Sequence, residues 1–157
     1  MGGSEQVYFA YLTEPHEAGH SAETAPQHLT FFHPFRAEYQ QIALESITIV
    51  TKYFQQFPIE IGEAALYGPN KDIPVRLIRP KGILNAIHWA LLGELESRSA
   101  TLDDRRYIGR NYSPHITIKA GQPVLEAGQQ LTVDNVALLH KSPDMVTIIA
   151  KHPLDET

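Results

Sequence analysis

Apolar and polar residues follow two different periods along the chain, and these periods predict its secondary structure. Segments that are rich in aromatic and β-branched residues and that end at prolines or turn residues predict β-strands. These segments are residues 7–13, 27–35, 59–67, 73–78, 115–119, 131–139 and 145–150. Apolar side chains that recur every three to four positions predict two long amphipathic helices, at residues 38–57 and 82–97.

The order of these elements predicts the fold class. Two helices separate groups of two, two and three strands, which is typical of an α+β domain with a mostly antiparallel sheet and not of a doubly wound parallel one. Because no linker-like segment divides the chain, we expect a single domain over residues 1–157. The apolar stripes that we expect to face the core include Tyr53 and Phe57 in the first helix and Ile83 in the second.

Two of the predicted strands carry the same short pattern. Residues 26–31 read PQHLTF and residues 113–118 read SPHITI. Because successive side chains of a strand point to opposite faces, His28 shares a face with Thr30, and His115 shares a face with Thr117. The apolar residues on the opposite face, Leu29 with Phe31 and Ile116 with Ile118, anchor each strand in the core, so each copy is a rigid mount for one imidazole and one hydroxyl. Duplication of a half-domain would produce such an internal repeat.

Two imidazoles that face one cleft match the needs of phosphodiester hydrolysis. The ordinary pKa of histidine is about 6.5, so near neutrality one ring can accept a proton while the other donates one. Thr30 and Thr117 can donate hydrogen bonds to the phosphate oxygens on which charge grows. We therefore predict that His28, Thr30, His115 and Thr117 are catalytic and that the chemistry needs neither a metal nor a cofactor.

The HLTF and HITI tetrapeptides resemble the two signature motifs of the two-histidine (2H) phosphoesterase superfamily, which includes the bacterial proteins called 2′-5′ RNA ligases and RNA cyclic phosphodiesterases. The resemblance covers nearly the whole chain. It implies a bilobal α+β fold in which mostly antiparallel sheets line a central cleft and two long helices pack outside. It also implies metal-free opening of 2′,3′-cyclic phosphates. Where several RNA-processing relatives have an arginine after the second motif, this chain has Lys119.

A charged, aromatic-containing loop precedes the second motif, and this loop together with Lys119 just after the motif supplies candidates for substrate binding. Arg110, Tyr112 and Lys119 can hold phosphate or stack on a base. A solvated loop is the plainer interpretation, and we favour it for Arg105 and Arg106, whose charge is partly balanced by the preceding Asp103–Asp104 pair.

The string His16-Glu17-Ala18-Gly19-His20 formally matches a zinc-protease motif. Such a site needs both imidazoles on one face of a stable helix. Here Pro15 and Pro26 bound the segment, and residues 16–25 contain no large apolar side chain with which a helix could pack. We therefore expect a solvated loop, and zinc hydrolysis is a remote alternative.

Composition and charge limit the partners. The chain has no cysteine, so disulfides and thiolate chemistry are excluded, and a reducing compartment is compatible. A formal charge of −5 argues against a grip on long DNA. The N-terminal residues lack a basic region, the apolar run at residues 7–12 is too short for a signal peptide, and no segment is long enough to span a membrane. We expect a cytoplasmic protein without membrane partners, with a monomer as the default oligomeric state.

The sequence thus predicts a cyclic phosphodiesterase that acts on RNA termini or small cyclic nucleotides. One alternative is a module of the same fold that binds a phosphorylated end without turnover. A second alternative is 2′-5′ RNA ligation, the reverse of cleavage. The sequence does not tell which histidine is the base.

Overall fold

The computed structural model describes residues 5–157, and across this range it contains nine strands in one sheet and two α-helices. The strands are β1 Gln6–Leu12, β2 Ser21–Ala22, β3 His28–Arg36, β4 Phe57–Tyr67, β5 Ile73–Arg79, β6 His115–Thr117, β7 Gln130–Val133, β8 Asn135–Lys141 and β9 Val146–Pro153. The helices are α1 Gln40–Val50 and α2 Gly82–Ser97. The predicted α+β class is confirmed.

The sheet is antiparallel and curled into a half-barrel, with the strand order β2-β9-β8-β1-β3-β6-β5-β4-β7. Five strands from β2 to β3 form one half, and four strands from β6 to β7 form the other. Strand β6 is three residues long, and its pairing with β3 is centred on Leu29 and Ile116. This short junction between the halves, here called the seam, lies in the middle of the sheet.

The two faces of the sheet have different coverings. Helices α1 and α2 contact each other and pack on one face, where they bury the main apolar core. Full burial of each large side chain in this core contributes roughly 1.5–3 kcal/mol. A smaller apolar cluster forms on the other face of β1, β8 and β9, and it consists of Tyr8, Ala10, Leu12, Ala137, Leu139 and Ile148. The polar residues of the two motifs share this second face.

Helix α1 is shorter than the predicted helix at residues 38–57. It ends at Val50, and short 3-10 turns flank it on both sides. The side-chain hydroxyls of Thr48 and Thr51 bond back to carbonyls of the preceding turn, a pattern that weakens helices. The apolar stripe misled the prediction because Phe57 belongs to β4, while Tyr53 is 79% exposed.

Other differences from the prediction concern the strands and one residue of the second helix. The predicted strand at 131–139 is two strands, because the chain turns at Asp134 and β7 pairs with β4 whereas β8 pairs with β1. Strand β6 ends at Thr117, so Ile118 is 38% exposed and does not anchor the second motif. Ile83 is 44% exposed, whereas the next residue, Leu84, is 0% exposed and supplies the core contact of the first turn of α2. No helix within residues 5–157 combines the length and hydropathy that a membrane crossing needs.

Candidate functional site

The two motifs meet at the seam. Leu29 of β3 lies opposite Ile116 of β6 in an antiparallel register, so His28 is opposite Thr117 and Thr30 is opposite His115. Residues opposite each other on neighbouring strands have Cβ atoms about 4.5–5.5 Å apart, and diagonal neighbours are about 7–8 Å apart. The two imidazoles are therefore diagonal neighbours on one face, and each has the hydroxyl of the other motif beside it.

Buried apolar residues on the opposite face of the same strands anchor these side chains. Leu29, Phe31 and Ile116 are 0% exposed and belong to the helix-side core. By contrast, the two histidines and two threonines are all half-buried. The alternation of strand residues thus fixes a polar, accessible layer on a rigid apolar base, as the motif pattern predicted.

Each imidazole is oriented by the backbone of its own motif. His28 Nδ1 lies 2.7 Å from the carbonyl oxygen of Pro26, and His115 Nδ1 lies 2.8 Å from that of Ser113. A carbonyl oxygen only accepts, so Nδ1 donates in both rings. In the neutral form, Nε2 of each ring then has a free lone pair. In the charged form the same atom carries a proton that it can donate.

A tyrosine packs against each histidine. The Tyr8 ring centroid is 5.5 Å from that of His28, and the Tyr67 ring centroid is 4.8 Å from that of His115. The Tyr67 hydroxyl also shares a 2.8 Å hydrogen bond with Ser113 Oγ. Sequence reasoning missed both tyrosines, because their contacts depend on which strands become neighbours in the sheet.

The two histidines differ in electrostatic environment. The pKa of His28 is lowered to about 4: burial is the largest cause, the Pro26 carbonyl opposes it, and positive charge at Lys119, His115 and Lys141 adds smaller decreases. Burial also lowers the pKa of His115, and the Ser113 carbonyl opposes that shift. Positive charge thus adds to the lowering of the His28 pKa, whereas burial is what lowers the pKa of His115.

Tyr112 takes part in a buried network that joins the two halves. Its hydroxyl donates to the Thr30 carbonyl over 2.9 Å, and its ring stacks on the His88 imidazole at 4.3 Å. His88 is fully buried; its Nδ1 donates to the Phe31 carbonyl, and its Nε2 accepts from the Gly109 N–H, each over 2.8 Å. The network ties the loop before the second motif to the strand of the first. Nothing in the sequence indicated this role for His88.

Gly109 is required at this junction for two reasons. Its φ of +66° lies in the left-handed region, which side chains disfavour. A Cβ atom at this position would also lie 3.1 Å from the Trp89 ring. The turn that presents the Gly109 N–H to His88 therefore depends on the absence of a side chain.

The arginines of the same loop fall into two groups. Arg105 pairs with Glu96, and Arg106 pairs with Asp104, which agrees with the interpretation of both as surface residues. Arg110 lies on the 3-10 turn Gly109–Asn111 and is exposed. In the part of the chain that the structure describes, Arg110 forms no ion pair.

The segment at residues 16–20 does not form the helix that the zinc motif requires. His16 and His20 stack with their ring centroids 4.4 Å apart, and the His16 carbonyl accepts a hydrogen bond from Lys151. From Glu5 to the C-terminus, no three histidine, aspartate or glutamate side chains are grouped closely enough to hold a metal ion.

Comparison with known proteins places these features in a family context. The family model described as the 2′-5′ RNA ligase superfamily matches residues 10–142. The fold is similar to that of TT0787 of Thermus thermophilus, with a TM-score of 0.65 at 17% identity over 96% of this chain and 98% of that one. It is also similar to E. coli LigT complexed with NADP⁺, with a TM-score of 0.59 at 15% identity over 97% of this chain and 98% of that one. No curated protein sequence matches the chain.

Proposed function

The chain belongs to the 2′-5′ RNA ligase superfamily of two-histidine phosphoesterases, and we propose that it is a metal-independent cyclic phosphodiesterase. The proposed substrate class is the 2′,3′-cyclic phosphate of an RNA end or of a small nucleotide. The observation that supports this most strongly is the seam register, which sets two half-buried imidazoles, each with its Nδ1 bonded to a carbonyl, diagonally across one pair of strands.

The proposed reaction uses one neutral and one protonated imidazole. The neutral ring takes a proton from a water molecule at Nε2, and the water oxygen forms a bond to phosphorus. The bond from phosphorus to O2′ or O3′ of the ribose breaks, and the protonated ring gives its Nε2 proton to that oxygen. The product is a ribose phosphate monoester, and the pair of histidines ends with its protonation reversed. General acid and general base catalysis each contribute roughly 10²–10⁴ in rate.

We assign the threonines to the phosphate. Thr30 and Thr117 flank the diagonal between the rings, where their hydroxyls can donate to the non-bridging oxygens as these gain charge. Among the candidates for substrate binding, Lys119 is the best supported because it is half-buried two residues beyond Thr117 and its charge contributes to the lowered pKa of His28. Arg110 is exposed and available for a phosphate. Tyr112 uses its hydroxyl and one ring face within the fold, so we assign it to positioning β3 as well as to the edge of the site.

Nucleotides are the substrates that the comparisons favour. Structures of E. coli LigT exist in complex with 3′-AMP, with ATP and with phosphate. At 15–16% identity the similarity to these structures shows a shared fold, and their ligands suggest which class of compound to test first.

The test is turnover of adenosine 2′,3′-cyclic phosphate by the wild type, His28→Ala and His115→Ala. We expect each variant to lose roughly 10²–10⁴ in kcat. His20→Ala is the matched control, because it removes an exposed imidazole outside the seam and also removes one candidate zinc ligand. It should keep wild-type activity.

Three outcomes would contradict the proposal. Wild-type protein that binds the cyclic nucleotide without turnover would indicate a binding module instead. Full activity in either seam variant would exclude the acid–base pair. Loss of activity in His20→Ala, together with stoichiometric zinc in protein purified without chelator, would favour the metal-dependent alternative.

A further inference from the structure

The pairing between the two halves of the sheet is short. Strand β6 pairs along its whole length with β5 of the same half, but its pairing with β3 is centred on one opposed pair, Leu29 and Ile116. A strand that shifts by one residue along its partner turns every side chain to the opposite face. Such a shift at the seam would move His115 away from His28. Because so few residues pair there, contacts outside the strands contribute to the register.

His88 makes one hydrogen bond to each side of this boundary. Its ring is 0% exposed, and Nδ1 donates to the Phe31 carbonyl on β3 over 2.8 Å. Its Nε2 accepts from the Gly109 N–H, in the loop that leads to β6, also over 2.8 Å. Only a neutral ring whose proton is on Nδ1 can make both bonds. Burial lowers the pKa of His88, which favours this form at neutral pH.

The same imidazole stacks on one ring from each of the two segments. Its centroid is 5.1 Å from that of Phe32 on β3 and 4.3 Å from that of Tyr112 in the loop, with interplanar angles of 18° and 6°. The Tyr112 hydroxyl then donates to the Thr30 carbonyl over 2.9 Å. The loop is thus joined to β3 by the His88 bridge, by the stacked rings and by the tyrosine hydroxyl, all outside the ladder of the seam.

The position of Tyr112 is passed on to the second motif within three residues. Tyr112 is followed by Ser113, whose carbonyl oxygen accepts the hydrogen bond from His115 Nδ1 over 2.8 Å. The Ser113 hydroxyl shares a hydrogen bond with Tyr67, so this short segment is held on both sides. A displacement of Tyr112 therefore moves the carbonyl that orients the His115 ring.

We propose that His88 is a positioning residue for the phosphodiester reaction: it holds the approach to the second motif against β3 and thereby fixes His115 relative to His28. This inference rests on the proposed function and extends the site to a residue of helix α2. His88 contacts no substrate and transfers no proton, because it acts through Gly109 and Tyr112. A misplacement of about 1 Å between reacting groups can lower a rate roughly 10²-fold, so the bridge has a measurable effect on catalysis.

The test measures kcat and KM for adenosine 2′,3′-cyclic phosphate in three variants. His88→Phe keeps a flat ring for the stack and removes both hydrogen bonds, so kcat should fall about 10²-fold, with a smaller change in KM. His88→Gln should keep more of the wild-type kcat, since its amide oxygen can still accept from the Gly109 N–H. Tyr112→Phe removes only the bond to the Thr30 carbonyl; it should lower kcat by a smaller factor, and it carries the test should His88→Phe fail to fold. Wild-type kcat in the folded variants would overturn the proposal.

Two comparisons separate positioning from a general loss of stability. Ile47→Ala shortens a fully buried side chain of the other helix, and it should lower the melting temperature without lowering kcat. In the His115→Ala background the ring that is positioned is gone, so His88→Phe should there cost less than about tenfold in kcat. A loss in Ile47→Ala as large as that in His88→Phe, or losses that multiply in full in the double variant, would overturn the positioning role.

Failure of the proposed function is distinguishable from failure of this inference. If the wild type does not hydrolyse the cyclic nucleotide, the cyclic phosphodiesterase proposal fails, and NMR still tests the bridge. The nuclear Overhauser contact between Leu29 and Ile116 reports the register of the seam. We expect His88→Phe to weaken this contact and Ile47→Ala to keep it. A contact of wild-type strength in His88→Phe would overturn the positioning role even in a protein without turnover.

Discussion

The first and second motifs are alike in sequence and local geometry, yet they stand in different surroundings. The first begins the nine-residue strand β3, which pairs with β1 on one side and β6 on the other. The second occupies the three-residue strand β6. In both, the imidazole donates from Nδ1 to the carbonyl two residues earlier in the chain. The motif itself therefore sets the orientation of the ring and the tautomer.

What the motif does not set is the affinity of each ring for a proton. At His28, burial is the main cause of a pKa of about 4, and the charges of Lys119 and Lys141 add to it. Around His115 the structure places Tyr67 and Ser113, with a pKa lowered by burial alone. All four residues lie outside the HxT triplets. Two copies of one motif can thus take unequal parts in a single reaction because the rest of the fold makes them unequal.

The largest expected effect comes from an experiment that distinguishes the general acid from the general base. A 4-nitrophenyl phosphodiester has a leaving group that departs without protonation, so loss of the general acid should matter little with it. On the cyclic nucleotide, His28→Ala and His115→Ala should both lose roughly 10²–10⁴ in kcat. On the aryl ester, the variant that lacks the acid should recover most of this loss, while the variant that lacks the base should not. Parallel steady-state assays on both substrates measure the contrast.

Equal losses of both variants on the aryl ester would break the comparison, since the two rings would then act as one unit without separate roles. Thr30→Val and Thr117→Val serve as controls for the phosphate contacts. Each should lower kcat on both substrates by a similar factor, because the non-bridging oxygens are the same in both.

The pH dependence of kcat/KM gives the next largest effect. Activity needs one neutral and one protonated ring. Below about pH 4 both rings are protonated and the base is lost, whereas above the pKa of His115, which lies below 6.5, both are neutral and the acid is lost. We expect a bell-shaped profile with its maximum between these values and a fall of about tenfold per pH unit on either side. A maximum above pH 8 would contradict the environments described for both histidines.

The smallest effect concerns Tyr67 alone. Tyr67→Ala removes the ring that shields His115, so the pKa of His115 should rise toward its ordinary 6.5 and the alkaline limb should move to higher pH. The acid limb, which reports His28, should stay in place. Titration of the histidine Cε1 protons by NMR follows both rings at once, and Tyr53→Ala, at an exposed tyrosine, is the control. Movement of both limbs together would mean that the two sites titrate as one.

Much of the fold could be predicted from the pattern of apolar and polar residues, because most of its elements are strongly periodic. The limits of α2 were predicted to the residue, and β1, β3 and β5 were predicted to within one residue at each end. Errors arose where tertiary pairing overrides local pattern. The break at Asp134 is one case, since Asn135 turns inward to bond with the backbone of Leu12 and begins a new strand.

The residues of the candidate site likewise fall into those that local pattern predicts and those that depend on tertiary pairing. His28 and His115 could be predicted because a strand motif encodes ring position locally. Tyr8 and Tyr67 could not, because their approach depends on which strands lie side by side and on the curl of the sheet. His88 also escaped prediction, since a histidine on an apolar helix face looks the same in sequence whether it is idle or joins two backbone segments.

The antiparallel register of the seam has a geometric consequence. An antiparallel pair of strands has a local two-fold axis, and here the axis passes between Leu29 and Ile116. A phosphorus atom placed on this axis would have one imidazole on each side of it. That is the arrangement in which an entering oxygen and a departing oxygen lie on opposite sides of the reacting centre. In the proposed reaction, the symmetry of the two paired strands would define the line along which the displacement at phosphorus proceeds.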